Sequence, residues 1–140
     1  MNAPRYKLAG STIDARDIGE LIEWLQNDPW LTQGPLVAEL ERVWASWLGT
    51  RHALFVNSGS SANLLMYAAL LESGRLKNRK VIVPAVSWAT TVAPAIQLGF
   101  EPIMCDAEAS SFGIDPEALT RLVEQHKPAA VIVVHVLGVP

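Results

Sequence analysis

Cysteine is almost missing from this chain: Cys105 stands alone among 140 residues, so no internal disulfide is possible and a reducing compartment is the simpler expectation. Positive charge is not in excess either. The formal net charge of -3 gives no general attraction to nucleic acid or to an anionic membrane. No apolar stretch approaches the length of a membrane span, and Met1 to Gly10 carries Arg5 and Lys7 but no apolar core of signal-peptide length. These absences predict a soluble, cytoplasmic protein with neither a nucleic-acid nor a membrane partner. What the chain does have is 50% hydrophobic content and a mean hydropathy of +0.22, ample for one core at this length and too little for two ordinary domains.

Apolar runs alternate with helical patterns. Ser11-Thr12-Ile13-Asp14 offers a capping signal ahead of Ile18, Leu21, Ile22 and Leu25, whose spacing marks one helical face ended by Asn27-Asp28-Pro29. After Gly34-Pro35 a second amphipathic helix is predicted, with Leu36, Leu40, Val43, Trp44 and Trp47 inward, Glu39 and Arg42 outward, and Gly49 as its C-terminal cap. The period then changes. Ala53 to Val56, Val81 to Val83, Pro102 to Cys105 and Ala129 to Val136 are short continuous apolar runs of the kind buried on both faces of a parallel sheet. Helical stretches lie between them at Ser60 to Glu72, Ala89 to Leu98 and Pro116 to His126. The last opens with Asp115-Pro116-Glu117, an N-cap, a proline at the first helical position and a first-turn acid. Four strand-helix alternations predict right-handed crossovers and a doubly wound α/β sheet. Ligands of such sheets bind beyond the carboxyl ends of the strands, which puts the segment after Val56, Pro84 to Thr91, and His135 to Pro140 on one rim.

The most specific chemical clue is Asn57-Ser58-Gly59-Ser60-Ser61-Ala62-Asn63, where a strand is expected to pass into a helix. The first N–H groups of a helix have no intrahelical acceptor and sit at the positive end of its dipole, which suits a phosphate. Gly59 permits a tight turn and close approach, and Ser58, Ser60 and Ser61 offer hydroxyl donors. An ordinary Ser/Gly helix cap accounts for the same residues equally well. On the next loop, Trp88 offers a flat surface on which a heteroaromatic ring can stack; burial in a core or an interface is the commoner use of tryptophan.

Taken in order, Trp30-Leu31-Thr32-Gln33-Gly34-Pro35, Phe55 to Asn63, Val83-Pro84-Ala85-Val86-Ser87-Trp88-Ala89-Thr90 and His135-Val136-Leu137-Gly138-Val139-Pro140 resemble the DegT/DnrJ/EryC1/StrS family. These are sugar aminotransferases and related enzymes of the aspartate aminotransferase fold that use pyridoxal 5'-phosphate (PLP). The resemblance covers essentially the whole chain after Leu31. It implies an α/β three-layer sandwich with a mostly parallel sheet, the N-terminal part of the PLP-dependent transferase large domain. Residues 1–34 become an N-terminal helical segment and 35–140 an incomplete PLP-binding domain. It further implies that Gly59, Ser60 and Ser61 bind the cofactor phosphate, that Trp88 stacks on the pyridine ring, and that the full-length protein is a homodimer acting on a nucleotide sugar with an amino donor. No metal is implied.

Two groups expected from that resemblance are missing. One is the carboxylate that pairs with the pyridine nitrogen, the other the lysine that links to the cofactor and moves the proton; both are expected beyond Pro140, leaving this stretch inactive alone. The lysines present are Lys7, Lys77, Lys80 and Lys127, and the last three are expected at the opposite sheet edge. Asp106 and Asp115 follow the third predicted strand, with Asp115 better explained as a cap. His135 ends the last predicted strand at the rim; a packed, hydrogen-bonded role is the commoner one for a lone histidine. His52 and His126 fall at the other end. A serine hydrolase is disfavoured, since Gly59-Ser60-Ser61-Ala62-Asn63 lacks the final glycine of a nucleophile elbow. Within the family, amino transfer from glutamate to a keto-sugar nucleotide is expected ahead of removal of the sugar 3-hydroxyl by the branch that carries histidine in place of lysine. The wording Asn57 to Leu65 leans toward that branch. A non-catalytic association module is the third alternative, since a strand at 53–56 would lack its usual neighbour and leave apolar surface exposed.

Overall fold

Val81, Ile82 and Val83 form a β-branched run with no polar side, which requires cover on both faces, and all three are fully buried. A computed structural model describes residues 10–139; Arg5, Lys7 and Pro140 lie outside them. The described residues divide into two compact units between Phe55 and Val56.

The first unit holds α1 (Ala15–Leu25) and α2 (Pro35–Leu48). Asp14 caps α1 by accepting from the Arg16 and Asp17 amides at 2.8 and 3.2 Å, while the Asp17 carboxylate accepts from the Asp14 amide at 2.9 Å, closing a capping box. Proline opens α2, and Gly49 closes it at a φ of 71°, the left-handed conformation in which a side chain is costly. The inward face predicted for α2 is not buried: Leu36, Leu40, Val43, Trp44 and Trp47 are all exposed, Trp47 by 74%. Amphipathic spacing identifies a face that wants cover, but among the described residues of this unit no other element packs on it. Trp44 and Trp47 cover each other in part, their ring centroids 5.1 Å apart.

The second unit runs α3 (Gly59–Glu72), β1 (Lys80–Pro84), α4 (Ala89–Gln97), β2 (Glu101–Cys105), α5 (Pro116–His126) and β3 (Ala130–Val131), followed by a 3-10 turn at Val136–Gly138. The sheet is wholly parallel in the order β2-β1-β3. Alternation along β1 sends Val81 and Val83 to one face, where they meet Tyr67 of α3, Ala95 of α4 and Phe100. It sends Ile82 to the other, against Cys105 and Ala118 of α5. Helices therefore cover both faces, giving the three layers expected of the α/β class. The Tyr67 and Phe100 rings pack at 5.4 Å and 58°, a pair worth about 1 kcal/mol beyond its buried area.

Two predicted strands fall short. Ala53 to Val56 pairs with no strand among the described residues and leaves Leu54 and Phe55 exposed. The run from Ala129 to Val136 yields only the two residues of β3. Ile132 still donates to the Ile82 carbonyl at 2.9 Å, but the next rung of a parallel ladder would need an N–H from Pro84, which has none. Among the described residues no helix is long and apolar enough to cross a membrane.

Burial raises the Cys105 thiol pKa, and the carboxylates of Asp115 and Asp106 raise it further. The folded chain therefore keeps a proton that the unfolded chain releases above about pH 8.5, so stability from this group is present below that pH and declines as pH rises past it. Iodoacetamide at pH 9 is expected to modify Cys105 far more slowly in the native protein than in urea; equal rates would contradict this burial.

Candidate functional site

All three strands are parallel, so the segments after Pro84, Cys105 and Val131 leave from one edge of the sheet. The opposite edge carries Lys80 at the start of β1 and Lys77 just before it. Lys127 caps the C-terminus of α5 and begins the connector into β3, its carbonyl accepting from Asn78 Nδ2 at 3.0 Å. None of these three lysines stands at the rim where the Pro84 loop turns into α4.

The start of α3 carries the Ser/Gly motif. Ser58 is its N-cap, and its Oγ accepts from the Ser61 amide at 3.2 Å. The Ser58 hydroxyl donates to Ser61 Oγ at 3.2 Å, and Ser61 Oγ donates to Asn57 Oδ1 at 2.7 Å. Two of the three proposed hydroxyl donors are thus already committed to a local relay. The amides of Gly59 and Ser60 and the Ser60 hydroxyl, in contrast, have no partner among the described residues. Gly59 has no positive φ, and a Cβ built on it would meet nothing within 4 Å. The tight-turn reason for Gly59 does not hold, and the space beside its Cα is open.

Trp88 is the N-cap of α4 and is 85% exposed. It is not the buried core residue that the commoner use of tryptophan suggested. The two helix starts are linked: Asn63 Nδ2, in the second turn of α3, donates to the Thr90 carbonyl in the first turn of α4 at 3.0 Å, and the Tyr67 hydroxyl donates to the Thr91 carbonyl at 3.1 Å. Gly59 lies four residues, about 6 Å of helical rise, ahead of Asn63. Burial raises the Tyr67 phenol pKa, so it stays a donor. Asn63 and Tyr67 escaped the sequence reading because their partners are backbone carbonyls about 25 residues away, a contact only the folded packing of α3 on α4 creates.

The remaining candidates resolve simply. Asp115 caps α5, accepting from the Glu117 and Ala118 amides at 2.8 and 3.4 Å. Asp106 accepts from the adjacent Ala107 amide at 2.9 Å. Of the three hydroxyls in Pro84 to Thr91, that of Ser87 donates to the Pro84 carbonyl at 3.3 Å, that of Thr91 is on a buried residue, and that of Thr90, half-buried, has no partner among the described residues. His135 is exposed at the start of the 3-10 turn, beside Leu137, whose φ of 54° is unusual for a branched side chain.

A parallel α/β layer with a helix start that carries unfilled amides, tied through Asn63 to a helix capped by an exposed indole, suits an anionic ligand with a flat ring. The model of the DegT/DnrJ/EryC1/StrS aminotransferase family matches residues 11–140, and the chain belongs to that family. A GDP-4-keto-6-deoxy-D-mannose 3-dehydratase of Yersinia pseudotuberculosis is 35% identical over 138 residues, 96% of this chain and 35% of that protein. The solved E. coli GDP-4-keto-6-deoxy-D-mannose-3-dehydratase with bound hydrated PLP is 37% identical with a TM-score of 0.73, covering 84% of this chain and 31% of that one. Helicobacter pylori PseC, an aminotransferase in the biosynthesis of pseudoaminic acid, is 28% identical with a TM-score of 0.71, covering 86% of this chain and 32% of that one. The chain spans about a third of the length of these relatives.

Because Gly59 has an ordinary backbone and open surroundings, Gly59→Ala is expected to leave thermal stability within about 0.5 kcal/mol of the original. It should at the same time weaken binding of inorganic phosphate, followed by 31P NMR. Loss of stability with unchanged phosphate binding would return Gly59 to a purely structural role.

Proposed function

We propose that this chain forms the phosphate- and ring-binding part of a PLP-dependent enzyme that acts on a keto-sugar nucleotide, principally by delivering to it an amino group from glutamate. The observation that carries the reading is the exposed Trp88 at the start of α4, tied through Asn63 to the helix that presents the free amides of Gly59 and Ser60. Those amides and the Ser60 hydroxyl hold the cofactor phosphate, with Ser61 joining when its proton turns away from Asn57. The Trp88 indole would stack on the pyridine ring and shield it from water. When bound, PLP supplies an electron-accepting ring that stabilises negative charge on the carbon next to the substrate nitrogen. The residue that moves the proton is none of Lys77, Lys80 and Lys127, which stand at the other sheet edge; in this reading the rest of the full-length enzyme supplies it.

A second reading, removal of the sugar 3-hydroxyl, is supported by the function named for the Yersinia relative. The family model and PseC support the first. In either case the enzyme works as a cytoplasmic homodimer, and the uncovered face of α2 with Trp44 and Trp47 is consistent with such an assembly.

Two measurements on the full-length protein test the proposal. Trp88→Ala should weaken PLP about tenfold, or about 1.4 kcal/mol, with Trp88→Phe intermediate; unchanged affinity for both would remove Trp88 from the site. With 15N-glutamate and a keto-sugar nucleotide, an amino sugar carrying 15N is the expected product. A product lacking the 3-oxygen and any 15N would replace amino transfer with the dehydratase reading.

A further inference from the structure

Pro94 lies inside α4, six residues after Trp88, and is buried. A proline in a helix has no N–H to give to the carbonyl four residues earlier, and its ring crowds that carbonyl. Here the deprived carbonyl belongs to Thr90, and it is the one that Asn63 Nδ2 reaches at 3.0 Å. The next carbonyl along, that of Thr91, is met by the Tyr67 hydroxyl at 3.1 Å. Asn63 and Tyr67 are four apart on α3, so both project from one face. Their spacing matches consecutive carbonyls at the break. An apolar residue at 63 would fill the same space and leave Thr90 without a donor in a part-buried setting, which is costly.

We infer that Asn63 is a positioning residue. It takes up the one backbone acceptor that Pro94 leaves without a helical donor, the Thr90 carbonyl, and with the Tyr67 hydroxyl on the next carbonyl it fixes the first turn of α4, with Trp88 at its cap, against the helix whose opening turn holds Gly59 and Ser60. The proline is what frees the Thr90 carbonyl for a neighbouring helix, because an unbroken helix would satisfy it internally. For the role of Trp88 this inference rests on the cofactor reading above.

A double-mutant cycle in the full-length protein tests it, with PLP as the ligand and with urea unfolding of the cofactor-free protein as an independent readout. Asn63→Ala should weaken PLP about tenfold and alter the circular dichroism of the bound cofactor, since an acceptor is left without its donor. Asn63→Asp, which offers an acceptor to an acceptor, should be at least as damaging. In a Pro94→Ala background, where residue 94 again supplies an N–H to Thr90, Asn63→Ala should change affinity by less than about twofold, and the loss of stability should shrink likewise. Equal losses in both backgrounds, or a stability change with PLP affinity untouched, would overturn the positioning role. If Asn63→Ala folds only when combined with Pro94→Ala, the inference is supported; if it folds in neither, it is overturned. A Trp88→Ala protein with unchanged PLP affinity would instead defeat the cofactor reading, whereas an effective Trp88→Ala with no Asn63–Pro94 coupling would defeat this inference alone.

Discussion

The direction of the β1 strand governs what this chain presents to a ligand. Parallel pairing with β2 on one side and β3 on the other forces the strands to finish at one edge, and the residue that finishes β1 is Pro84. This proline acts on both sides. Toward β3 it cannot provide the next rung, so that strand stops at two residues. Toward β2 the ladder survives, because the rung there comes from the Ala85 amide, which donates to the Cys105 carbonyl at 2.8 Å. The loop from Ala85 to Trp88 thus leaves the sheet anchored on one side and open on the other.

Elements encoded by local chemistry were legible in the sequence. The Asp115-Pro116-Glu117 signature marks the first turn of α5, since a carboxylate cap, a fixed φ and a first-turn acid act over a few residues. The alternation of apolar runs with helical periods led to the α/β class and its layers, because burial on both faces of β1 demands uninterrupted apolar residues. What local chemistry does not contain is whether a neighbour is there. Ala53 to Val56 has strand-like composition and no partner among the described residues, and Trp44 with Trp47 has helical periodicity and no cover within its unit. Both are apolar for a reason the described packing does not supply.

The candidate site shows the same division. The Ser/Gly motif was readable as a helix start because Ser58 is a capping residue and Gly59 follows it. Which donors remain free was not readable, since the relay from Ser58 through Ser61 to Asn57 depends on side-chain rotamers set after folding. The bond from Asn63 to Thr90 was not read from the sequence, where Pro94 falls inside the helix expected at Ala89 to Leu98. A proline in mid-helix announces that the carbonyl four residues back wants a donor, and only the packing of α3 on α4 says which residue supplies it.

The three helix starts in the second unit are capped in different ways. The start of α5 is capped by the Asp115 carboxylate and carries Glu117 in its first turn, so its positive dipole end is already matched by negative charge. Neither α3 nor α4 has an acid in its first turn. Ser58 caps α3 with a neutral hydroxyl, and α4 has no side-chain cap at all. An aspartate at 58 would cap as well as serine does, but it would put a fixed charge where an incoming anion would have to sit. Removing carboxylates from two adjacent helix starts forgoes a stabilisation of up to about 1 kcal/mol each. Aspartate caps α1 and α5, while α2 in the first unit also starts without an acid; within the second unit the two starts that lack one are those of α3 and α4, which Asn63 ties together.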